Sequence, residues 1–174
     1  MAPVSPRLLS AELRMRNACI IGLLSAIAIP NFIRFQVKAK SSEGTTNLAG
    51  IRSAEAVYFA ELSIYVSADV SPNVAPGSTR QGFVASSGFE QLGWEPAGDV
   101  YFTYAVNSGL AGKVFHATAH ANLDGDAAAQ IWHYRTGDLE SKTHVGEEPL
   151  TCGGSAGHTD VVEPCDSQSG VSVF

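Results

Sequence analysis

Charge is scarce in this sequence, and positive charge is scarcest in its longer part. Asp, Glu, Lys and Arg make up 16% of the 174 residues, while 45% are hydrophobic. That balance excludes general disorder, which goes with high charge and few apolar groups. Residues 53–174 hold four Lys or Arg against fifteen acidic groups, a net of −11. A surface of that sign argues against general nucleic-acid binding. Residues 1–52 run the other way, with seven basic groups and two acidic ones, a net of +5. Catalytic signatures are missing too. There is no Gly-x-Ser-x-Gly, no phosphate loop and no cysteine in a catalytic setting. His116 and His120 have the spacing of a helical metal pair, but no Glu follows His116. On a strand the two would stand about 13 Å apart, too far for one ion. We therefore expect no enzyme and no cofactor.

What the chain does have is a long apolar run near its start. Residues 18–29 are apolar or small without interruption, ending at Pro30-Asn31, and Phe32-Ile33-Arg34-Phe35 follows. Twelve helical residues reach about 18 Å, short of a hydrocarbon core of about 30 Å. Continuing to Phe35 brings the run near spanning length at the cost of a proline and an arginine. The basic residues before it fit cytoplasmic placement of that end. A rival reading makes residues 1–28 a secretory signal, cut at the small-x-small site Ala26-Ile27-Ala28, which would release a soluble exported binding domain. Against it, Pro30, Phe32 and Phe35 continue a helix-like pattern past the cut.

The order of these residues carries a resemblance. Ile20-Ile21-Gly22-Leu23-Leu24-Ser25-Ala26-Ile27-Ala28-Ile29-Pro30-Asn31-Phe32 resembles the N-terminal helix of type IV pilins and type II secretion pseudopilins. Arg34-Phe35-Gln36-Val37-Lys38-Ala39-Lys40-Ser41-Ser42-Glu43 continues it. Weaker similarity recurs at Ala60-Glu61, Gly93-Trp94-Glu95-Pro96 and Leu123-Asp124-Gly125-Asp126. The resemblance departs upstream, where the family has a leader ending in glycine and then a Phe-Thr-Leu-Ile-Glu type segment. Residues 8–18 here contain no glycine, hold Arg14 and Arg16 where the family is apolar, and place Glu12 one residue from the family's glutamate. Divergence, a translation start read in the wrong frame and an artificial end each account for this. The abruptness at Ile20 favours the wrong frame, which translation of the upstream DNA would check.

The resemblance implies a structural subunit of a cell-surface filament serving adhesion, twitching motility or DNA uptake; a type II secretion pseudopilin is the alternative. Its filament-core and membrane residues would be Ile20, Ile21, Leu23, Leu24, Ile27, Ile29, Pro30, Phe32, Ile33 and Phe35. Its partners would be copies of itself in a helical polymer, the inner membrane before assembly, an inner-membrane platform and an assembly ATPase. A prepilin peptidase would be a further partner, but its recognition segment is the part that differs. Nucleic acid would be met only by the assembled filament.

The expected fold is α+β: a long N-terminal helix, kinked near Pro30, packed on an antiparallel sheet of three or four strands. Residues 1–19 form an atypical N-terminal segment. The helix covers 20–62, and a globular head covers 63–174. Past Lys40 the pattern turns amphipathic, with Leu48, Ile51, Ala54, Tyr58 and Leu62 on one stripe and Ser42, Glu43, Asn47, Arg52 and Glu55 elsewhere. Residues 63–98 read as a connecting loop rich in Pro, Gly and Ser. Residues 99–135 read as the sheet, with strands over 100–106, 114–121 and 130–135. On the second strand Phe115, Ala117, Ala119 and Ala121 share one face, and His116, Thr118 and His120 the other. Aromatic residues such as Tyr101, Phe102, Tyr104, Trp132 and Tyr134 read as core and not as a stacking platform.

Cys152 and Cys165 close a loop near the C-terminus. In an exported chain they read as a disulfide worth about 3 kcal/mol, and in a cytosolic one as two free thiols. The apolar run favours export. Cys19 reads as unpaired. Asp124 and Asp126 are the candidate ligands if calcium binds at all, because some pseudopilins bind it. Ala127–Ala129 stand where an EF-hand would supply further oxygens, so a hairpin turn explains Asp124-Gly125 sufficiently.

Overall fold

A computed structural model of the chain describes residues 6–73, 77–125, 129–136 and 158–165, with side chains from residue 14 onward. The first element is one α-helix, α1, running from Pro6 to Leu62. It begins fourteen residues before the expected Ile20, and Pro30 lies inside it without interrupting it. The chain divides into two units, Met1–Gln36 and Val37–Phe174.

In the second unit, five strands form one antiparallel sheet in chain order: β1 (Ala68–Ser71), β2 (Thr103–Gly109), β3 (Val114–Ala121), β4 (Gln130–Arg135) and β5 (Glu163–Pro164). This is an α+β, pilin-like arrangement. The expectation of three or four strands falls short because β1 and β5 are edge pieces of four and two residues. A strand that short carries no readable alternation. A second helix, α2 (Ser87–Leu92), also lies in the stretch read as loop. It ends on Gly93 in the left-handed region (φ 62°), whose N–H bonds back to Glu90, the stop signal of a helix C-terminus.

The alanines of β3 set how the second unit packs. Ala117, Ala119 and Ala121 are fully buried on the central strand. The register puts Ala119 between Tyr104 and Trp132, and Ala117 between Val106 and Tyr134. A row of small side chains flanked by larger ones makes a trough for a helix. The buried face of α1 is Val37, Ser41, Gly44, Leu48, Ile51 and Glu55, and its apolar members share one core with these alanines. Their spacing alternates between four and three, one helical stripe. At Gly44 a Cβ would stand 2.9 Å from Phe102 Cε1, so only glycine lets the ring sit there.

This stripe corrects the expected one. Leu48 and Ile51 belong to it, but Leu62 is 55% exposed and Glu55, assigned to the polar face, is fully buried. Two small residues and a carboxylic acid hide the true phase from a reading based on apolar side chains. The aromatics are core as expected: Phe102, Tyr104 and Tyr134 are buried, and Trp132 and Tyr101 pack against them.

Among the described residues the carboxyl group of Glu55 accepts from the Val66 N–H, which donates to Oε2 at 3.2 Å, and no hydrogen bond reaches Oε1. Burial raises its pKa from 4.5 to about 7, against a smaller lowering by the Val66 bond. A folded-state pKa above the unfolded value means that stability is complete below pH 4.5 and falls as pH rises toward 7. Glu55→Gln keeps the acceptor and removes the ionisation. We expect no gain for this variant near pH 4.5 and a gain of about 3 kcal/mol above pH 7, checked by denaturation at both pH values.

Candidate functional site

Each residue expected in the membrane or filament core lies on α1 within the first unit. Ile20, Ile21, Leu23, Leu24, Ile27, Ile29, Phe32, Ile33 and Phe35 are 46–71% exposed, and Pro30 is exposed beside them. At about 100° per residue these side chains point around the whole circumference and not along one stripe. The contrast with residues 37–55, where one stripe is buried, marks a change of role within a single helix. The helix is long and apolar enough to cross a membrane, and none of its apolar window is buried in the protein. Between Arg16 and Arg34 lie residues 17–33, about 26 Å of helix, close to a hydrocarbon core of about 30 Å. Arginines at both ends can extend their guanidinium groups to the polar interfaces. Each Leu, Ile or Phe removed from water contributes about 1.5–3 kcal/mol, so the driving force to cover nine of them is on the order of 10 kcal/mol or more. Cys19 is an exposed free thiol on this segment.

The other candidates fare differently. Asp124 is exposed in the turn after β3, which Asn122 closes by accepting from the Gly125 N–H at 2.8 Å. Gly125 sits there at φ 80°, as an Asx-type turn favours. Asp126, its proposed companion for calcium, lies outside the described residues. Among the described residues no group of three His, Cys, Asp or Glu is placed to hold a metal ion. Cys165 is buried just after β5, with its N–H bonded to the Ile131 carbonyl; Cys152 lies outside the described residues. His116 and His120 are half-buried on the face of β3 that carries Thr118. His116 meets the His133 ring edge to face at 5.4 Å. His133 is buried with Nε2 3.5 Å from Glu163 Oε1, while His158 approaches Glu163 Oε2 at 3.2 Å. Burial holds the His133 pKa below its ordinary value, Arg135 adds to this and Glu163 opposes it. The His133 imidazole is therefore neutral at pH 7, and its contact with Glu163 is a polar contact and not a full ion pair.

A second polar region was not legible from spacing. Glu43, on α1, accepts at Oε1 from the Tyr101 N–H at 2.7 Å, and more distantly from the Phe102 N–H and the Tyr104 hydroxyl, both at 3.4 Å. Asn47, one turn on, donates to the same hydroxyl at 2.7 Å. Burial, with Glu43 adding, pushes the Tyr104 pKa up, so the phenol stays protonated. One helix turn thus ties α1 to the backbone just before β2. Beside it opens a cavity of about 430 Å³ whose walls include Lys40 and Arg80. The sequence held one signal for it: Arg80 is the lone basic residue between Arg52 and Lys113.

Comparison with known proteins is narrow in extent. No family model and no solved structure matches the chain. Over 46 residues it is 52% identical to the type IV major pilin protein PilA of Myxococcus xanthus. That stretch covers 26% of this chain and 21% of the pilin, so the match spans about a fifth of the relative's length.

Removing the Glu43 acceptor would strand the Tyr101 N–H. We expect Glu43→Ala to cost about 1–3 kcal/mol in the unfolding free energy of the head, and Glu43→Gln markedly less because an amide oxygen still accepts. Chemical denaturation of both variants at one pH separates the two.

Proposed function

We propose that this chain is the structural subunit of a type IV pilus-like surface filament, assembled through residues 20–35 of its N-terminal helix. The observation that carries this reading is the exposed apolar circumference of that segment, which runs around the whole helix. Such a surface is unstable in water and needs lipid or other helices on every side. Before assembly the inner membrane would cover it. In the filament, copies of the same helix would cover it, so assembly exchanges lipid contact for helix–helix contact without exposing the run to water. The partial identity to a type IV major pilin supports this role. The sheet unit would then form the filament surface and meet other cells, solid surfaces or DNA. The subunit performs no chemistry of its own in this reading. Its partners are copies of itself, an inner-membrane platform and an assembly ATPase, together with a prepilin peptidase if processing occurs.

Ile27→Asp and Leu24→Asp test the reading directly. Either charge at mid-segment is expected to abolish filaments while leaving the thermal transition of the head unchanged; ordinary filaments from either variant would contradict the model. The cysteine pair adds a second test. Reduction of a Cys152–Cys165 bridge is expected to lower the melting temperature of a head fragment starting near Glu43, consistent with about 3 kcal/mol of loop closure. An unchanged midpoint would remove the bridge from the account.

A further inference from the structure

We propose that the cavity between α1 and the loops around Arg80 and Tyr101 binds a phosphate-bearing polar group through Lys40 and Arg80. The cavity holds about 430 Å³ and is lined by Lys40, Glu43 and Asn47 from α1 and by Arg80, Asp99 and Tyr101 from the loops. Its walls are tied in place before any ligand arrives. Gln81 and Val100 exchange two backbone hydrogen bonds, at 2.8 and 2.9 Å, which locks the two loops to each other. Glu43 fastens Tyr101 to the helix through its N–H.

Two carboxylates, Glu43 and Asp99, share the lining with the two cations, Lys40 and Arg80. The Lys40 ammonium lies 4.8 Å from the Tyr101 ring centroid and the Arg80 guanidinium 5.0 Å from the same centroid. The two charges are therefore within about 10 Å of each other, about one Debye length at 0.1 M salt. The ring offsets part of their repulsion. Among the described residues neither cation lies within ion-pair distance of a carboxylate; the basic side chains that do are His133 and His158, both at Glu163. Lys40 spends one donor on the Ser78 carbonyl at 3.4 Å, and Arg80 donates to no described residue. Most of their N–H groups remain for an anion, and a guanidinium fork and an ammonium lining one cavity suit phosphate oxygens.

The carboxylates present do not fill that need. Glu43 Oε1 is taken by the Tyr101 and Phe102 N–H groups. Asp99 is exposed at the rim, where it can accept from a hydroxyl or ammonium on the body of the ligand. The volume also exceeds what a bare anion fills and falls in the range of ligand sites, about 300–1,000 Å³. Glycerol phosphate, with one anionic end and a hydroxylated body, has this chemistry. A free phosphate ester and a phospholipid headgroup both carry it. Lys40 follows the apolar run by only seven residues from Ile33, so the experiment must separate the two sources. The proposal does not depend on filament formation.

The test is calorimetry on the full chain in a non-ionic maltoside detergent, titrated with sn-glycerol 3-phosphate, with glycerol, and with a short-chain phosphatidylglycerol. We expect saturable binding of glycerol 3-phosphate that weakens with salt, no binding of glycerol, and at least a ten-fold loss of affinity, about 1.4 kcal/mol, in Arg80→Gln and in Lys40→Gln. Circular dichroism melting of both variants should match the parent, since neither side chain is buried. Tighter binding of the lipid than of glycerol 3-phosphate would identify a headgroup as the source; equal or weaker binding would identify a free ester. Absence of saturable binding up to about 10 mM, or affinity unchanged in both variants, overturns the proposal. So does an Arg80→Gln defect confined to self-association, which would mean that the cations meet an acidic side chain of a second copy.

Discussion

Burial of one stripe of α1 in the core that it shares with the sheet is the constraint on which the head depends. At Gly44 the helix meets the rings of Phe102 and Trp132 so closely that a Cβ would stand 2.9–3.1 Å from them, and Ser41, Ala117, Ala119 and Ala121 add little side-chain volume to the same buried region. The flanking rings of Phe102, Tyr104, Trp132 and Tyr134 then close around the helix from both sides, which gives dense packing with few large aliphatic residues. The same closeness puts polar helix residues within reach of the sheet. Glu43 and Asn47 answer the backbone and hydroxyl groups at the start of β2, and Glu55 answers the Val66 N–H. These carboxyl and amide groups take the place of water at the edges of the seam, and they bring a pH dependence through Glu55 that a purely apolar seam would lack.

Because the helix that carries this buried stripe is continuous with residues 20–35, one element has two unlike surroundings. Residues 37–55 bury a single stripe and leave the rest of the circumference wet. Residues 20–35 leave the whole circumference uncovered within the chain. The change falls at a basic stretch, Arg34, Lys38 and Lys40. A soluble core helix would show the first pattern along its length, and a plain membrane anchor the second. Their succession is what a subunit needs if it must leave lipid for the company of its copies while its head remains in water.

Much of this was legible beforehand, for identifiable reasons. Strands β2 to β4 are legible from their strand-forming residues, although β2 runs over Thr103–Gly109, three residues later than the expected 100–106 and into the expected turn, and the assignment of Phe115 and the three alanines to one face of β3 matches their burial. The apolar segment is unmistakable because its composition needs no phase. What escaped were features without a local pattern. Strands β1 and β5 are too short to alternate, and α2 occupies six residues among prolines and glycines. The phase of the buried stripe escaped because Ser41, Gly44 and Glu55 do not read as core; their burial follows from what faces them. The Lys40–Arg80–Tyr101 cavity escaped because its parts come from three distant stretches, joined only when Gln81 pairs with Val100.

Filament assembly as proposed requires that residues 20–35 remain in the working protein and hold copies of it together. The most direct measurement is the intact mass and N-terminal sequence of this chain recovered from material sheared off the cell surface. Filaments whose subunit retains Ile20 to Phe35 are expected. A soluble chain beginning near Ile29 or Asn31, with no filaments in the preparation, would contradict it and would make the apolar run a discarded signal.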